Sequence, residues 1–494
     1  MTLPTPMVTR CVPARVNAFA LVTMMLLTGP IACRSRPLDA DAAADRGALP
    51  ELPTAFGRET PPSGQQAVAA GWPATFGDPV LDELIREAQA NNPNLQRAFA
   101  AWQEAQARTR VARSLLRPTL DGQAAYVRTD DGIDPDPRSV PQIGVVASWE
   151  LDVWGRLDAD AKAAGLTALA TGLDYAYARQ SLAASLANAW FTATEARARL
   201  KIAQDLLEVQ QLTAEISRSR ATVGAGVALD AEIAEANLSL ARDSVEDARR
   251  ASEESIRAVE LLLGRYPSAE LAVESDLPAM PEPVAVGVPS ELLERRPDVV
   301  AADRRVAAAF YRIDSAKAAK LPRVTLTGSL GALLDPTESI WQIGANLLAP
   351  LYEGGRLDAQ VQISEAQQQQ ALAGFVSVGL NAFAEVERAL AAEHYFIQRA
   401  ELLSDADERL RRASDIAQQR YEAGVITILD LTQVRQQYFA ARGDLLTVRS
   451  RLLQQRVNLY LALGGSFDQE PAVSPAFADA TPNPSTPSHP ETQP

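Results

Sequence analysis

Two spacings of apolar residues alternate along this chain. Leu95 to Leu116 mixes Ala, Gln and charged residues at helical spacing and stops ahead of Pro118. From Ile143 the period falls to two. Ile143, Val145, Ala147, Trp149 and Leu151 share one face, and Gly144, Val146, Ser148 and Glu150 the other, which predicts a strand with one apolar side. From Leu157 to about Ser219 there is no proline and the helical spacing returns, and Asp230 to Leu263 predicts a second helix running back. The same order then recurs. A helix is predicted over Asp298 to Ala319, stopping before Pro322. Period-two runs follow at Val324 to Leu330 and Trp341 to Leu347, then a proline-free stretch from Leu357 to about Gln419 and a return over Asp430 to Leu463. Turn residues at Asp130 to Val140 and Asp335 to Ser339 separate the strands, so each half carries one hairpin.

The recurrence extends to individual residues. Gly155-Arg156-Leu157-Asp158-Ala159 returns two hundred residues later as Gly355-Arg356-Leu357-Asp358-Ala359. Arg220, Gly224, Leu229 and Asp230 return as Arg420, Gly424, Leu429 and Asp430. The chain is therefore an internal duplication of helix, hairpin, very long helix and return helix. A helix of some 60 residues runs on the order of 90 Å, beyond globular lengths, which implies a coiled-coil or helical-barrel element. The turns at 219–230 and 419–430 then lie at the end remote from the strands. There Gly224 and Gly424 supply backbone freedom, and Asp230 and Asp430 are placed to cap the returning helices.

Four strands per chain give little shelter to an apolar face. Lipid accepts it if the sheet is part of a closed barrel with polar residues inward, and several chains would then have to contribute strands. A small soluble sheet packed on helices is the competing reading from periodicity alone.

Composition narrows the class. The chain has 494 residues and a formal net charge of −15, which argues against a nucleic-acid partner. Two Cys and two His leave little room for a disulfide framework or a Cys/His metal cluster. Arg10 and Arg15 precede the short apolar run Val16 to Leu27, and Ala32-Cys33 follows. Residues 1–32 read as a secretory signal, with Cys33 a candidate for a covalent diacylglycerol and N-acyl lipid. The lead-in 33–77 and the proline-rich tail 466–494 read as extended or disordered. Residues 78–264 and 291–465 form the two repeats, joined by a linker at 265–290. The strands are expected at about 118–128, 141–152, 322–333 and 341–350, and the helical hairpins at about 156–263 and 356–463.

No catalytic or metal constellation stands out, and no cofactor beyond the lipid is expected. His394 lies within a long helix and reads as a packed or solvated residue. The run Gln367 to Gln370 is a polar helix face that could line an aqueous channel.

Leu292-Leu293-Glu294-Arg295-Arg296-Pro297-Asp298, continued by Ala316-Lys317-Ala318-Ala319 and by Leu326-Thr327-Gly328-Ser329-Leu330-Gly331, resembles a family signature. Trp154-Gly155-Arg156, Gly354-Gly355-Arg356, Arg420-Tyr421 with Gly424, and the closing Leu459 to Gly465 match it too. The family is the TolC/OprM-like outer-membrane factors of tripartite RND-type efflux systems, in their lipoprotein branch, and the resemblance covers about Trp72 to Gly465.

That resemblance implies a mixed α+β membrane protein. Three chains with four strands each would form a 12-stranded outer-membrane barrel, continued by a periplasmic α-helical barrel. It implies a passive, gated conduit with no catalysis, a homotrimer in outer-membrane lipid, a periplasmic adaptor and an inner-membrane pump. By the same resemblance Arg220, Gly224, Arg420 and Gly424 fall on adaptor-docking tip turns, and Leu429 on a constriction. Gln433, or Asp430 by a shift along the helix, would complete the gate ring. Arg34 after Cys33 favours delivery to the outer membrane. An exit duct for type I protein secretion and a non-channel periplasmic scaffold are the alternative functions.

Overall fold

The computed structural model describes Phe56 and residues 71–129, 138–224, 226–284, 289–334 and 337–465. The signal segment 1–32, Cys33, most of the lead-in, the tail 466–494 and the connecting residues 130–137 and 335–336 lie outside the described residues. A short 3-10 helix at Trp72–Phe76 precedes α1 (Pro79–Asn91) and α2 (Pro93–Ser114). Strands β1 (Thr119–Thr129) and β2 (Arg138–Leu151) lead into α3 (Arg156–Thr222) and α4 (Ala228–Leu263). The second half repeats the order. α5 (Pro289–Arg295) and α6 (Pro297–Ala318) are followed by β3 (Arg323–Leu334), β4 (Thr337–Leu348), α7 (Arg356–Glu422) and α8 (Ile428–Ala462).

Both α3 and α7 contain 67 residues, about 100 Å of helix at the usual rise. Local signals start the preceding helices. Pro93 and Pro297 each take the first helical position, where a missing N–H costs nothing. Asn92 caps α2 by accepting from the Asn94 and Leu95 amides.

The four strands form one antiparallel sheet in the order β1-β2-β3-β4. Its register places Gly122, Val145, Leu330 and Trp341 side by side, with Leu120, Ala147, Gly328 and Ile343 in the next row. Ile143, Trp149, Leu326 and Leu347 share that face, which is apolar across all four strands. Asp121, Gln123, Ser148, Glu150, Thr325, Thr327, Gln342 and Asn346 occupy the other. Strand pairing runs further toward the hairpin ends than the turn residues suggest: Thr129 pairs with Arg138, and Leu334 with Thr337. Pro141 is tolerated because pairing of β2 with β3 begins only at Gln142.

The helices pack in a row. α3 lies against both α2 and α6, α6 also against α7, and the returns α4 and α8 against α3 and α7. Where α1, the linker and the ends of α4 and α8 meet α3, a core forms around Trp72, Phe76, Leu81, Phe191, Leu263 and Tyr460. Trp72 stacks on Tyr460 with centroids 5.5 Å apart. Alanines at 183, 184, 187 and 193 let the helices approach closely. Asp78 joins the elements: its carboxylate caps α1 through the Val80 and Leu81 amides and accepts from Trp190 Nε1 at 2.7 Å.

Buried charges tie the same region together. Arg296, at the N-cap of α6, donates to Asp298, to Glu385 at 2.6 Å and to the Ala462 carbonyl, and its guanidinium lies over the Tyr177 ring. Burial opposes that charge, but Asp298 and then Glu385 outweigh it and raise the pKa. Arg456 pairs with Glu393 and donates to the Pro281 carbonyl. Glu260 accepts the amides of Ala269, Glu270 and Leu271, folding the linker back onto α4.

Candidate gate and docking tip

The tip consists of the α3–α4 and α7–α8 turns. Gly224 and Gly424 both have φ near +74, so the left-handed geometry recurs with the duplication. In the second turn the Gly424 amide donates to the Tyr421 carbonyl at 2.9 Å, and the Val425 amide to Arg420 at 2.8 Å. That pair closes the last turn of α7 in a Schellman arrangement.

The two returns begin differently. Thr427 caps α8 and Asp430, three residues on, accepts back from the Thr427 amide and hydroxyl, a complete capping box. Val227 heads α4 with no side-chain cap, so Asp230 sits in the first turn and is not the cap expected of it. Asp430 likewise occupies the third helical position, with Thr427 as the cap.

The duplicated arginines differ as well. Arg220 turns inward, donates to the Tyr421 carbonyl at 2.9 Å and lies 5.3 Å from the centre of that ring. The Arg420 side chain is exposed and makes no polar contact with the described residues. Tyr421 is buried, and its hydroxyl meets Ser217 Oγ at 2.7 Å. Gly424 and Arg220 are near neighbours: a Cβ at Gly424 would come 2.9 Å from Arg220 Nη2, whereas one at Gly224 would meet nothing.

Leu429 is 61% exposed, and Gln433, one turn further along α8, is exposed on the same side. Asp430 points about 100° away around the helix and is committed to its capping box. The Thr427 hydroxyl, then its amide, hold the Asp430 carboxyl below the usual carboxylate range. Val223, Val227 and Leu229 at the first turn and Val425 at the second are exposed, giving the tip an apolar rim.

Beneath the tip, Ala214, Ala234, Leu238, Ala417, Tyr421, Ile428 and Leu431 form a small core. Arg435 lies in the same layer, 5% exposed. It donates to Thr213 Oγ1 on α3 at 2.5 Å and to Gln418 Oε1 on α7. Burial pushes its pKa down to about 10, against the opposing field of Glu422 and Tyr421. Arg435 is not among the residues that motif and resemblance single out, although the sequence carries a signal for it. Ile428, Leu431, Arg435, Leu445, Val448 and Leu452 form one buried heptad-like stripe of α8, and arginine is out of place in it. Among the described residues no helix is long and apolar enough to span a membrane, which leaves the sheet as the candidate spanning element.

The sequence profile of the family described as "Outer membrane efflux protein" matches residues 84–265 and 288–465, most of the chain and both repeats. The chain belongs to the outer membrane efflux protein family. A similar relative is the "Pyoverdine export outer membrane protein OpmQ" of Pseudomonas aeruginosa, 28% identical over 91% of this chain and 97% of the relative. Another is "Outer membrane protein OprJ" of the same species, also 28% identical, covering 92% of this chain and 97% of that protein. Among solved structures, the outer-membrane channel OprN superposes with a TM-score of 0.77 at 26% identity, over 85% of this chain and 99% of that one. As a member of this efflux family the chain is the outer-membrane channel component of a tripartite RND-type pump. It is a non-catalytic conduit whose helices extend into the periplasm, and its partners are a periplasmic adaptor and an inner-membrane transporter.

Proposed function

We propose that three copies of this chain join edge to edge into a 12-stranded barrel continued by a helical tunnel, and that the tip turns both gate the tunnel and receive the adaptor. The open edges of the sheet carry this reading. Among the described residues β1 pairs only with β2 and β4 only with β3, while one face is apolar across all four strands. In lipid such edges must be paired, and β4 of one copy beside β1 of the next pairs them. The helical row is open in the same sense. Its flanks are α2, whose one buried residue is Leu95, and α7, whose strand-proximal half is largely exposed, including Gln367, Gln369 and Gln370.

At the tip we assign the constriction to Leu429, with Gln433 one turn behind it. Asp430 contributes negative field at the threefold axis, and its carboxylate stays with Thr427. The exposed Arg420, Gly224 and Gly424 offer the adaptor a contact surface beside Val223 and Val425. Arg220 serves that surface as a positioning residue, through Tyr421. Cys33 is proposed as a lipid anchor, on the sequence argument of Ala32 before it and Arg34 after it.

The cargo is proposed to be small molecules delivered by the pump. Relatives that bear names of pyoverdine export and toluene efflux support that class.

The test is single-channel conductance of detergent-extracted protein in a planar bilayer, with the particle mass measured on the same sample. Discrete channels from a trimer support the proposal, and more frequent opening of Leu429→Ala places the constriction at the tip. A natively folded monomer without conductance overturns it.

A further inference from the structure

Arg435 carries an observation that the conduit function does not explain. It is a guanidinium buried in the tip core, held by two neutral acceptors. No described carboxylate forms an ion pair with it, and the nearby Glu422 accepts from Gln418 instead. Its bonds fall on opposite sides of a natural division. Gln418 belongs to α7, the partner of α8 in the second hairpin, and Thr213 belongs to α3 in the first. Any movement that separates the hairpins at the tip breaks the bond to Thr213, keeps the bond to Gln418 and lets water reach the guanidinium. Burying a charge without a paired carboxylate is costly, so hydration rewards that movement.

We propose that Arg435 is a built-in opening element of the tip: a cation whose desolvation in the closed state biases the second hairpin to part from the first. The proposal rests on the tip-gate reading above. Other polar contacts across this division hold the hairpins together. Nearest the tip are Ser217 to Tyr421, Arg220 to the Tyr421 carbonyl, and Asn237 to Thr432 at 3.4 Å, and further along α8 Arg442 pairs with Asp205 at 3.4 Å and Thr447 donates to Glu195 at 2.9 Å. Arg435 opposes them, and the resting position of the tip reflects the difference.

The sign of the effect distinguishes this role from that of a simple latch. A latch weakens when it is removed, so its loss opens the tip. A buried, poorly compensated charge relaxes when replaced by an apolar chain of similar length, so Arg435→Met closes the tip further. Thr213→Val removes one acceptor and leaves the cation in place, so it opens the tip. The experiment uses the full-length assembled protein, with two readouts for each variant: the frequency of channel openings in a planar bilayer, and hydrogen exchange of the amides in 419–432.

The expected result is about tenfold fewer openings and slower exchange for Arg435→Met, tenfold corresponding to about 1.4 kcal/mol. Thr213→Val is expected to move both readouts the other way, and the double variant to resemble Arg435→Met. More openings or faster exchange in Arg435→Met would make the arginine a latch and overturn the proposal, and so would unchanged exchange. If no variant conducts but exchange shifts as stated, the tip-gate reading fails while the role of Arg435 in tip opening stands.

Discussion

The guanidinium of Arg296 lies 2.6 Å from the carboxylate of Glu385, joining the first residue before α6 to the middle of α7 across 89 positions of sequence. Arg296 is almost wholly buried and also holds Asp298 and the end of α8, whereas Glu385 is partly open to water. Arg296→Ala is therefore expected to lower stability by about 3–5 kcal/mol, because it strands Asp298 and an unpaired helix-terminal carbonyl. Glu385→Gln should cost far less, since Asp298 still balances the charge. Thermal unfolding of the two variants measures the difference.

The glycines of the two tip turns make an unequal pair. Both need positive φ, so alanine costs about 1 kcal/mol at either. At 424 the added Cβ also displaces Arg220 from Tyr421, and at 224 it meets empty space. Gly424→Ala is expected to loosen the tip and raise conductance, and Gly224→Ala to leave conductance near that of the native protein. Bilayer recordings of both settle the comparison.

The helical architecture was legible in the sequence because period and proline placement are local signals. Proline-free runs marked the long helices, and Pro93 and Pro297 marked helix starts. The strands were visible in the alternation from Ile143 to Leu151. The arrangement of the tip was not legible, because it depends on which side chain reaches across to the other repeat. Nothing near Arg220 or Arg420 in the sequence says that one turns inward and the other stays free, since the partner is Tyr421, two hundred residues from Arg220. The buried role of Arg296 was hidden in the same way, as Glu385 and the Ala462 carbonyl lie on α7 and α8, far along the chain. The resemblance left both Asp430 and Gln433 open because it admits a shift along the helix near Leu429, whereas the capping box of Thr427 and Asp430, three residues apart, is a local signal.

Asp430 gives a pH prediction. Its folded pKa is depressed, so its contribution is complete above the ordinary carboxylate value and is lost only as pH falls through the lower folded value. Between pH 7.5 and 5 the group stays ionised, and the frequency of openings is expected to be unchanged through Asp430. A change over that range that disappears in Asp430→Asn would contradict the capping geometry.

The sheet predicts opposite outcomes at adjacent residues. Leu330 lies on the apolar face and Ser329 on the polar one. In the proposed barrel Leu330→Arg would meet lipid and is expected to cost up to about 4 kcal/mol, whereas Ser329→Arg would face the lumen and alter ion selectivity instead. Urea unfolding in lipid measures the first effect and reversal potentials the second.

The two hairpins of the sheet differ in one further respect. β3 and β4 are joined by two residues, β1 and β2 by eight, and those eight include Asp130, Asp131, Asp134 and Asp136 with no positive charge. In the proposed barrel these connections stand at the outer rim, so an antibody or a phage arriving from outside meets chiefly three acidic segments. A short epitope tag spliced into 130–137 is expected to be stained on intact cells, while the same tag at 335–336 would lengthen a connection of only two residues.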